Sequence, residues 1–209
     1  MPVVADGEVP EEADLPAPGE VLAFWFGGPG SPDLDQPRDA WFRKNDAFDA
    51  LIGERFGGLL VRALHGRLEA DPVVRDAFDT RLARIIVCDQ FARNVWRGRP
   101  SAFALDPLAL ATAHLLIGSP EEHAAPPVRR WFVYMPLMHA ESLPEQRRSV
   151  ELFEALAGES SLIEPACDSA RRHHDVIVRF GRFPHRNEIL GRASTPEEVA
   201  FLKQPGSSF

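Results

Sequence analysis

Residues 74–99, VRDAFDTRLARIIVCDQFARNVWRGR, carry the pattern that decides the fold of this chain. Five positions recur at intervals of three and four residues and share one face of an α-helix: Phe78, Leu82, Ile85, Asp89 and Arg93. Asp89 therefore lies among apolar side chains, where a carboxylate stays charged only if it is paired or hydrogen-bonded. The spacing predicts one amphipathic helix ending near Val95. We expect Asp89 to pair with Arg93, or with Arg182 or Arg186 if two repeat units face each other.

The end of this stretch occurs twice in the chain. Residues 93–99, RNVWRGR, return as residues 186–192, RNEILGR, so that both copies read R-N-x-x-x-G-R. Each copy follows an apolar helical segment that ends in phenylalanine, Phe91 or Phe183, and these phenylalanines are 92 positions apart. The pattern predicts a duplicated helical unit with two arginine-rich turns on equivalent helix ends. Guanidinium groups at such ends favour a site for an anion.

The rest of the chain also predicts helices and no strands. Helical spacing and capping signals place them at about 19–26, 39–65, 74–95, 106–117, 126–135, 142–157, 164–180 and 195–202. Asp106, Ser142 and Thr195 are predicted N-caps. Gly57-Gly58 is expected to bend or split the second helix, and Pro136 to interrupt the fifth, which leaves His139 in a turn. The predicted fold class is all-α.

Composition limits the classes of function. The chain has 209 residues and a formal net charge of -8, with 44% hydrophobic and 26% charged residues, which is typical of a soluble globular protein. The acidic charge argues against non-specific nucleic-acid binding, and no apolar run reaches the roughly 20 residues that cross a bilayer. Residues 1–18 are acidic and proline-rich and do not resemble a signal peptide. We predict a cytoplasmic protein with a loose arm, 1–18, and a single all-helical domain, 19–209.

Polar residues at three places form the candidate site. Asp89, Arg93 and Asn94 lie at the first repeat, His139 and Glu141 at a predicted turn between helices. Residues 179–187, RFGRFPHRN, add three arginines and a histidine interleaved with phenylalanine and proline. The predicted ligand-binding set is Asp89, Arg93, Asn94, His139, Glu141, Arg182, His185, Arg186 and Asn187. Of the two repeat turns, the second is the preferred one, because Arg182 and His185 enrich it.

Other chemistries have weaker signals. His139, Glu141, His173 and Asp89 could assemble a metal site, but no local ligand spacing such as H-E-x-x-H is present, and we predict no metal and no cofactor. Phosphate-loop, dinucleotide and serine-nucleophile motifs are absent from the sequence. Cys88 and Cys167 have no metal or redox spacing and are expected to be reduced thiols, although the sequence leaves a disulfide open.

The chain resembles the bacterial domain-of-unknown-function family number 924 from about Glu20 to Phe209. The resemblance rests on these stretches: Phe24–Gly27, Trp41–Lys44, Asp89–Asn94, Ala102–Asp106, Tyr134–His139, Arg179–Asn187 and Leu190–Arg192. Two positions depart from the family pattern, with Ala92 in place of proline and Asn45 in place of aspartate. The resemblance implies a tetratricopeptide-like, right-handed array of antiparallel helix pairs. It implies no activity and therefore assigns no catalytic residue.

Three functions remain open from the sequence. The favoured one is binding of a small anion or an acidic peptide terminus in a groove lined by arginine, histidine and asparagine. The second is a hydrolase or transferase acting on a phosphorylated or carboxylated metabolite, with His139 or His185 as acid/base and Asp89 or Glu141 as the orienting carboxylate. The third is a structural domain in which the arginines tie helix ends to carboxylates.

Overall fold

The computed structural model describes residues 15–68 and 78–207, and every regular element within these ranges is helical. The helices are α1 (Pro18–Phe26), α2 (Asp46–Leu64), α3 (Phe78–Ile85), α4 (Ala92–Val95), α5 (Asp106–Leu116), α6 (Pro120–Ala124), α7 (Pro127–His139), α8 (Leu143–Glu159), α9 (Glu164–Phe180) and α10 (Pro196–Leu202). The all-α prediction is confirmed. The tetratricopeptide-like arrangement stays a prediction.

The predicted N-terminal arm lies almost wholly outside the described residues, which begin at Leu15. Leu15 packs against the hydrophobic core, and α1 starts at Pro18, one residue before the predicted start of the domain. The four buried side chains of α1 are Val21, Leu22, Trp25 and Phe26. This short helix is therefore anchored by its apolar face, and Gly27 ends it with a φ of 92°.

A π-helical segment, Ile86–Phe91, joins α3 to α4. In this segment the N–H of Ala92 donates to the carbonyl of Val87, five residues earlier, in place of the usual four. All six of its side chains are buried, Asp89 completely. Such π-helical turns occur frequently at functional sites. The predicted helix over this region is correct in extent to Val95, and its first residues, 74–77, lie outside the described ranges.

Neither predicted interruption ends or splits a helix. Gly57 and Gly58 lie inside a continuous α2, which starts at Asp46 because the Asn45 side chain caps it, accepting hydrogen bonds from the N–H groups of Ala47 and Phe48 at 3.1 Å. Pro136 lies within α7, and the helix continues through it to end at His139. His139 is thus held by a helix and not by a loop.

The predicted N-caps have mixed outcomes. Thr195 forms the expected capping box, since its hydroxyl accepts from the N–H of Glu198, whose carboxylate accepts from the N–H of Thr195. Ser142 makes no side-chain cap bond. Asp106 is the first residue of α5, where Leu105 holds the N-cap position. Its carboxylate is engaged with arginines from other parts of the chain.

The main core is a continuous cluster in which α3 packs against α1, α5 and α7, and α8 packs against both α7 and α9. A smaller apolar cluster joins the end of α9 to Phe183. Aromatic rings fill its centre, and Trp25 meets the rings of Trp41, Phe91 and Phe132 with centroids 5.5–5.7 Å apart. Cys88 and Cys167 are both buried free thiols, so they do not pair. Among the described residues no helix is both long and apolar enough to cross a membrane.

Candidate functional site

A cavity of about 600 Å³ opens beside the π-helical segment and α7, within the size range of small-molecule sites. Its lining contains five arginines and three histidines, and no aspartate or glutamate among the described residues. These cationic or titratable residues are Arg43, Arg93, Arg97, Arg172, Arg186, His139, His173 and His185. In a chain with a net charge of -8, this wall is a local concentration of positive charge.

The corresponding arginines of the two repeats meet at one carboxylate. Arg93 binds Asp106 through two hydrogen bonds, Nη1 to Oδ1 at 2.9 Å and Nη2 to Oδ2 at 3.0 Å. Arg186 donates from Nη1 to Oδ2 of the same aspartate at 3.2 Å. Both guanidinium groups also lie over the ring of Phe103, at 5.7 and 4.6 Å from its centroid. Asp106 therefore holds two arginines in fixed positions at the cavity wall.

Asp89 and His139 form a buried dyad next to this pair. The Nδ1 atom of His139 is 2.7 Å from Oδ1 of Asp89, and Nη1 of Arg93 is 3.2 Å from the same oxygen. Gln90 donates to the other carboxylate oxygen. Although burial alone raises the pKa of Asp89, Arg93 and His139 hold that pKa well below its usual range. An ionised Asp89 assigns the imidazole proton to Nδ1, which leaves Nε2 of His139 as the atom with a lone pair.

Burial favours the neutral form of all three histidines of the cavity. Burial lowers the pKa of His139, despite the opposing effect of Asp89. Burial and the adjacent His139 lower the pKa of His173 well below 6.5, and burial with the neighbouring Arg186 lowers the pKa of His185 to about 4. The permanent positive charge of the wall therefore comes from arginine alone.

Four of the five arginines have aspartate partners at or behind the wall. Arg43 pairs with Asp39, Arg97 with Asp49, and Arg93 and Arg186 with Asp106. Arg172 is exposed at the cavity and forms no ion pair or hydrogen bond with any residue that the structure describes. Among the described residues it is the one arginine of the wall without such a partner.

Arg186 also retains a donor that the described residues do not use. Its Nη2 donates to the carbonyl of His139 at 3.0 Å, while Nε is buried without a hydrogen-bond partner among them. Burial and the nearby Arg93 lower the pKa of Arg186 to about 10. A buried donor without a partner costs about 1–3 kcal/mol. A ligand oxygen in hydrogen-bond contact with this group would remove that cost.

The two repeat turns are not equivalent helix ends, contrary to the sequence interpretation. Arg93 belongs to α4, whereas Arg186 ends a 3-10 turn, Pro184–Arg186, that follows the end of α9. They do share the positive φ of their glycines, 74° at Gly98 and 66° at Gly191. Both turns contribute to the same cavity, and the preference for the second turn stays a prediction.

Five of the nine residues in the predicted ligand-binding set line the cavity: Arg93, Asn94, His139, His185 and Arg186. Asp89 lies behind His139. The other three belong to a neighbouring network. Arg182 forms a two-point pair with Glu198 at 2.7 and 2.8 Å, and Asn187 donates to the same carboxylate. Glu141 accepts from Arg192 and from the N–H of Phe183. These contacts tie the second repeat turn to α10 and to the end of α7.

The predicted ligand-binding set omits several residues of the lining, among them Arg172, Trp41, Trp131 and Phe42. Arg172 lies on α9 beside His173, and no local motif distinguishes it from its exposed neighbour Arg171. Trp41 and Trp131 are buried in the core, yet both border the cavity. Phe42 could have been selected from the sequence, because it adjoins Trp41 in the stretch Trp41–Lys44, which is one of those that carry the family resemblance.

The four residues weighed as a metal site do not come together. Asp89, His139 and His173 are neighbours, but Glu141 is paired with Arg192 and lies outside the cavity. Within residues 15–68 and 78–207 no group of three or more histidine, cysteine or acidic side chains could hold a metal ion.

Comparison with known proteins agrees with the motifs. The family model described as bacterial protein of unknown function, DUF924, matches residues 21–206. The chain belongs to this family. A solved protein of unknown function from Agrobacterium tumefaciens is 34% identical, with a TM-score of 0.75 over 89% of this chain and 96% of that one. No curated protein matches. The family resemblance is confirmed, and neither match names an activity.

Proposed function

We propose that this protein binds a small anion, or the carboxylate of an acidic peptide terminus, in the arginine-lined cavity. The observation that carries the proposal is the composition of the wall, in which five arginines and no described acidic residue line about 600 Å³. Phosphate and carboxylate groups match the two-point geometry of guanidinium. The tetratricopeptide-like arrangement of helix pairs belongs to the same proposal, since concave surfaces of such folds are commonly used for binding.

The anion would be held by groups of two kinds. Arg93 and Arg186 are immobilised by Asp106, so they lose little side-chain entropy when a ligand binds. Arg172 is exposed and unpaired among the described residues, and it supplies a charge that can close on the ligand. Arg182 has no direct role in this proposal, because its guanidinium is used by Glu198.

A pair of neighbouring variants tests the site. Calorimetric titration with inorganic phosphate and with succinate is compared for the wild type, Arg172→Ala and Arg171→Ala. Arg171 is also exposed, but it pairs with Glu154 and Asp168 and does not line the cavity. We expect Arg172→Ala to weaken anion binding about five- to tenfold, the value of one partly solvated charged hydrogen bond. Arg171→Ala should leave it unchanged. The proposal is contradicted if the wild type binds neither phosphate nor succinate, or if both variants lose the same amount of binding affinity.

The Asp89–His139 dyad favours acid/base catalysis as a second candidate function. With Nδ1 held by Asp89 at 2.7 Å, a neutral His139 presents Nε2 as a proton acceptor at a wall that binds anions. A water could transfer its proton to Nε2 while its oxygen attacks phosphorus or a carbonyl carbon. The proton then passes to the departing alcohol.

Chromogenic esters test this candidate separately from binding. We expect hydrolysis of p-nitrophenyl phosphate or p-nitrophenyl acetate to fall at least a hundredfold in His139→Gln, while calorimetry still detects phosphate. Asp89→Asn should shift the pH–rate profile, because it alters the proton position on His139. No turnover of either ester by the wild type, or unchanged turnover in His139→Gln, contradicts the catalytic role and leaves the binding proposal standing.

A further inference from the structure

The cavity has an apolar wall that anion binding alone does not explain. Trp41, Phe42, Trp131, Met135 and Met138 line it together with the arginines. Phe42 is 54% exposed, although it borders a buried aromatic cluster. Its ring therefore contributes exposed apolar surface to the cavity wall.

Three rings of this wall are in contact with one another. Phe42 stacks on Trp131 with centroids 5.3 Å apart and an interplanar angle of 19°. Trp41 meets both rings edge to face, at 6.1 and 6.3 Å. Because Trp131 and Trp41 are buried, they fix one side of the Phe42 ring and leave the rest of it open to solvent. The cavity therefore offers the face or edge of a positioned aromatic ring.

The apolar side of the cavity and its arginine-lined side meet at Gln90. Its Nε2 donates to the Asp89 carboxylate and lies 3.7 Å from the sulfur of Met135. Met138 directly precedes His139 along α7 and lines the same cavity. A single small molecule can thus contact both walls, an apolar part on one and an anionic group on the other.

We infer that the ligand is an anion that carries a flat aromatic ring, an aryl phosphate or aryl carboxylate. The anionic group binds the arginines, and the ring lies against Phe42 beside Trp131. Offset or edge-to-face contact between aromatic rings adds to the gain from burial, which favours an aromatic group over an alkyl chain of similar size. This inference rests on the anion-binding function proposed above and specifies its ligand class.

Matched phosphates separate the inference from the function on which it depends. Calorimetry compares inorganic phosphate, phenyl phosphate and hexyl phosphate on the full chain. We expect phenyl phosphate to bind about tenfold more tightly than inorganic phosphate and more tightly than hexyl phosphate. In Phe42→Ala the advantage of the phenyl group should disappear, with inorganic phosphate unaffected. Leu115→Ala, which removes another exposed hydrophobic residue outside the cavity, is the control and should retain it.

The possible calorimetric results distinguish failure of the aromatic inference from failure of anion binding. If inorganic and phenyl phosphate bind equally, or if Phe42→Ala keeps the phenyl advantage, the aromatic inference is overturned while anion binding stands. If hexyl phosphate binds as tightly as phenyl phosphate, the wall selects apolar groups in general and the aromatic specificity is wrong. If none of the three phosphates binds and succinate does not bind either, the proposed function itself fails.

Discussion

Replacing Asp106 with asparagine removes the negative charge that two guanidinium groups share. Arg93 and Arg186 both donate to this carboxylate, and their side chains are only 21% and 7% exposed. Arg93 keeps Asp89 as a partner at 3.2 Å. Among the described residues, Arg186 keeps the carbonyl of His139 and its contacts with the rings of Phe103 and Phe183, but no carboxylate in hydrogen-bond contact. Asparagine has nearly the shape of aspartate, so the change acts mainly through charge.

The magnitude follows from the burial of the three side chains. Breaking a fully buried ion pair costs about 3–5 kcal/mol, because the remaining charge has no compensation. About a fifth of the Arg93 and Asp106 side chains is exposed, so we expect a smaller loss for Asp106→Asn, about 2–4 kcal/mol of unfolding free energy. For a chain of this size the loss corresponds to a fall in Tm of about 4–16 °C.

Urea unfolding and thermal melting, each with and without phosphate, measure this effect. Asp168→Asn is the control, since Asp168 pairs with Arg171 at a site where its side chain is 70% exposed, and its loss should cost less than about 1 kcal/mol. Phosphate should raise the Tm of Asp106→Asn more than that of the wild type, because the variant has two arginines without their shared counter-charge. If Asp106→Asn is no less stable than Asp168→Asn, the reasoning that Asp106 neutralises both arginines is refuted.

Three further predictions concern pH, backbone strain and thiol reactivity. Burial lowers the pKa of His185 from 6.5 to about 4. As the pH falls, this histidine is therefore protonated in the unfolded chain at a higher pH than in the folded protein. The unfolding free energy should therefore fall by up to about 3 kcal/mol between pH 6.5 and 4. Urea titrations should show a shallower fall with pH in His185→Gln than in the wild type. Equal slopes of unfolding free energy against pH in the two proteins would contradict this. Gly27 has a φ of 92°, and a Cβ there would lie 3.0 Å from the backbone nitrogen of Leu34. Thermal melting should show that Gly27→Ala loses more than about 1 kcal/mol of unfolding free energy. Gly28→Ala is the control, because a Cβ there meets nothing within 4 Å, and its unfolding free energy should stay within about 0.5 kcal/mol of the wild type. Similar losses in the two variants would count against the steric argument. Cys88 is fully buried, and burial raises the pKa of its thiol to about 12. It should not react with Ellman's reagent at pH 8 until urea unfolds the chain, and rapid labelling of the native protein would disprove its burial.

Local patterns predicted the helices well and their details less well. The stripe from Phe78 correctly indicated a helix to Val95, but the shift to π-helical bonding at Ile86–Phe91 leaves no signature in residue spacing. Pro136 was expected to interrupt α7, and it does not, because the tertiary environment can outweigh local propensity. The capping box at Thr195 was confirmed, since it depends only on residues three positions apart.

The sequence by itself determined the all-helical fold, the family, and the kinds of residue available for a site. Periodicity and capping act over a few residues, so they can be inferred without coordinates. Only the tertiary structure decided which arginines face the cavity. Arg182, prominent in the repeated motif, is paired with Glu198, whereas Arg172, which no motif marks, lines the cavity. Arg186 and Asp106 are separated by 80 positions in the sequence. Contacts between such distant residues depend on how whole helices pack, and local sequence patterns do not show that packing.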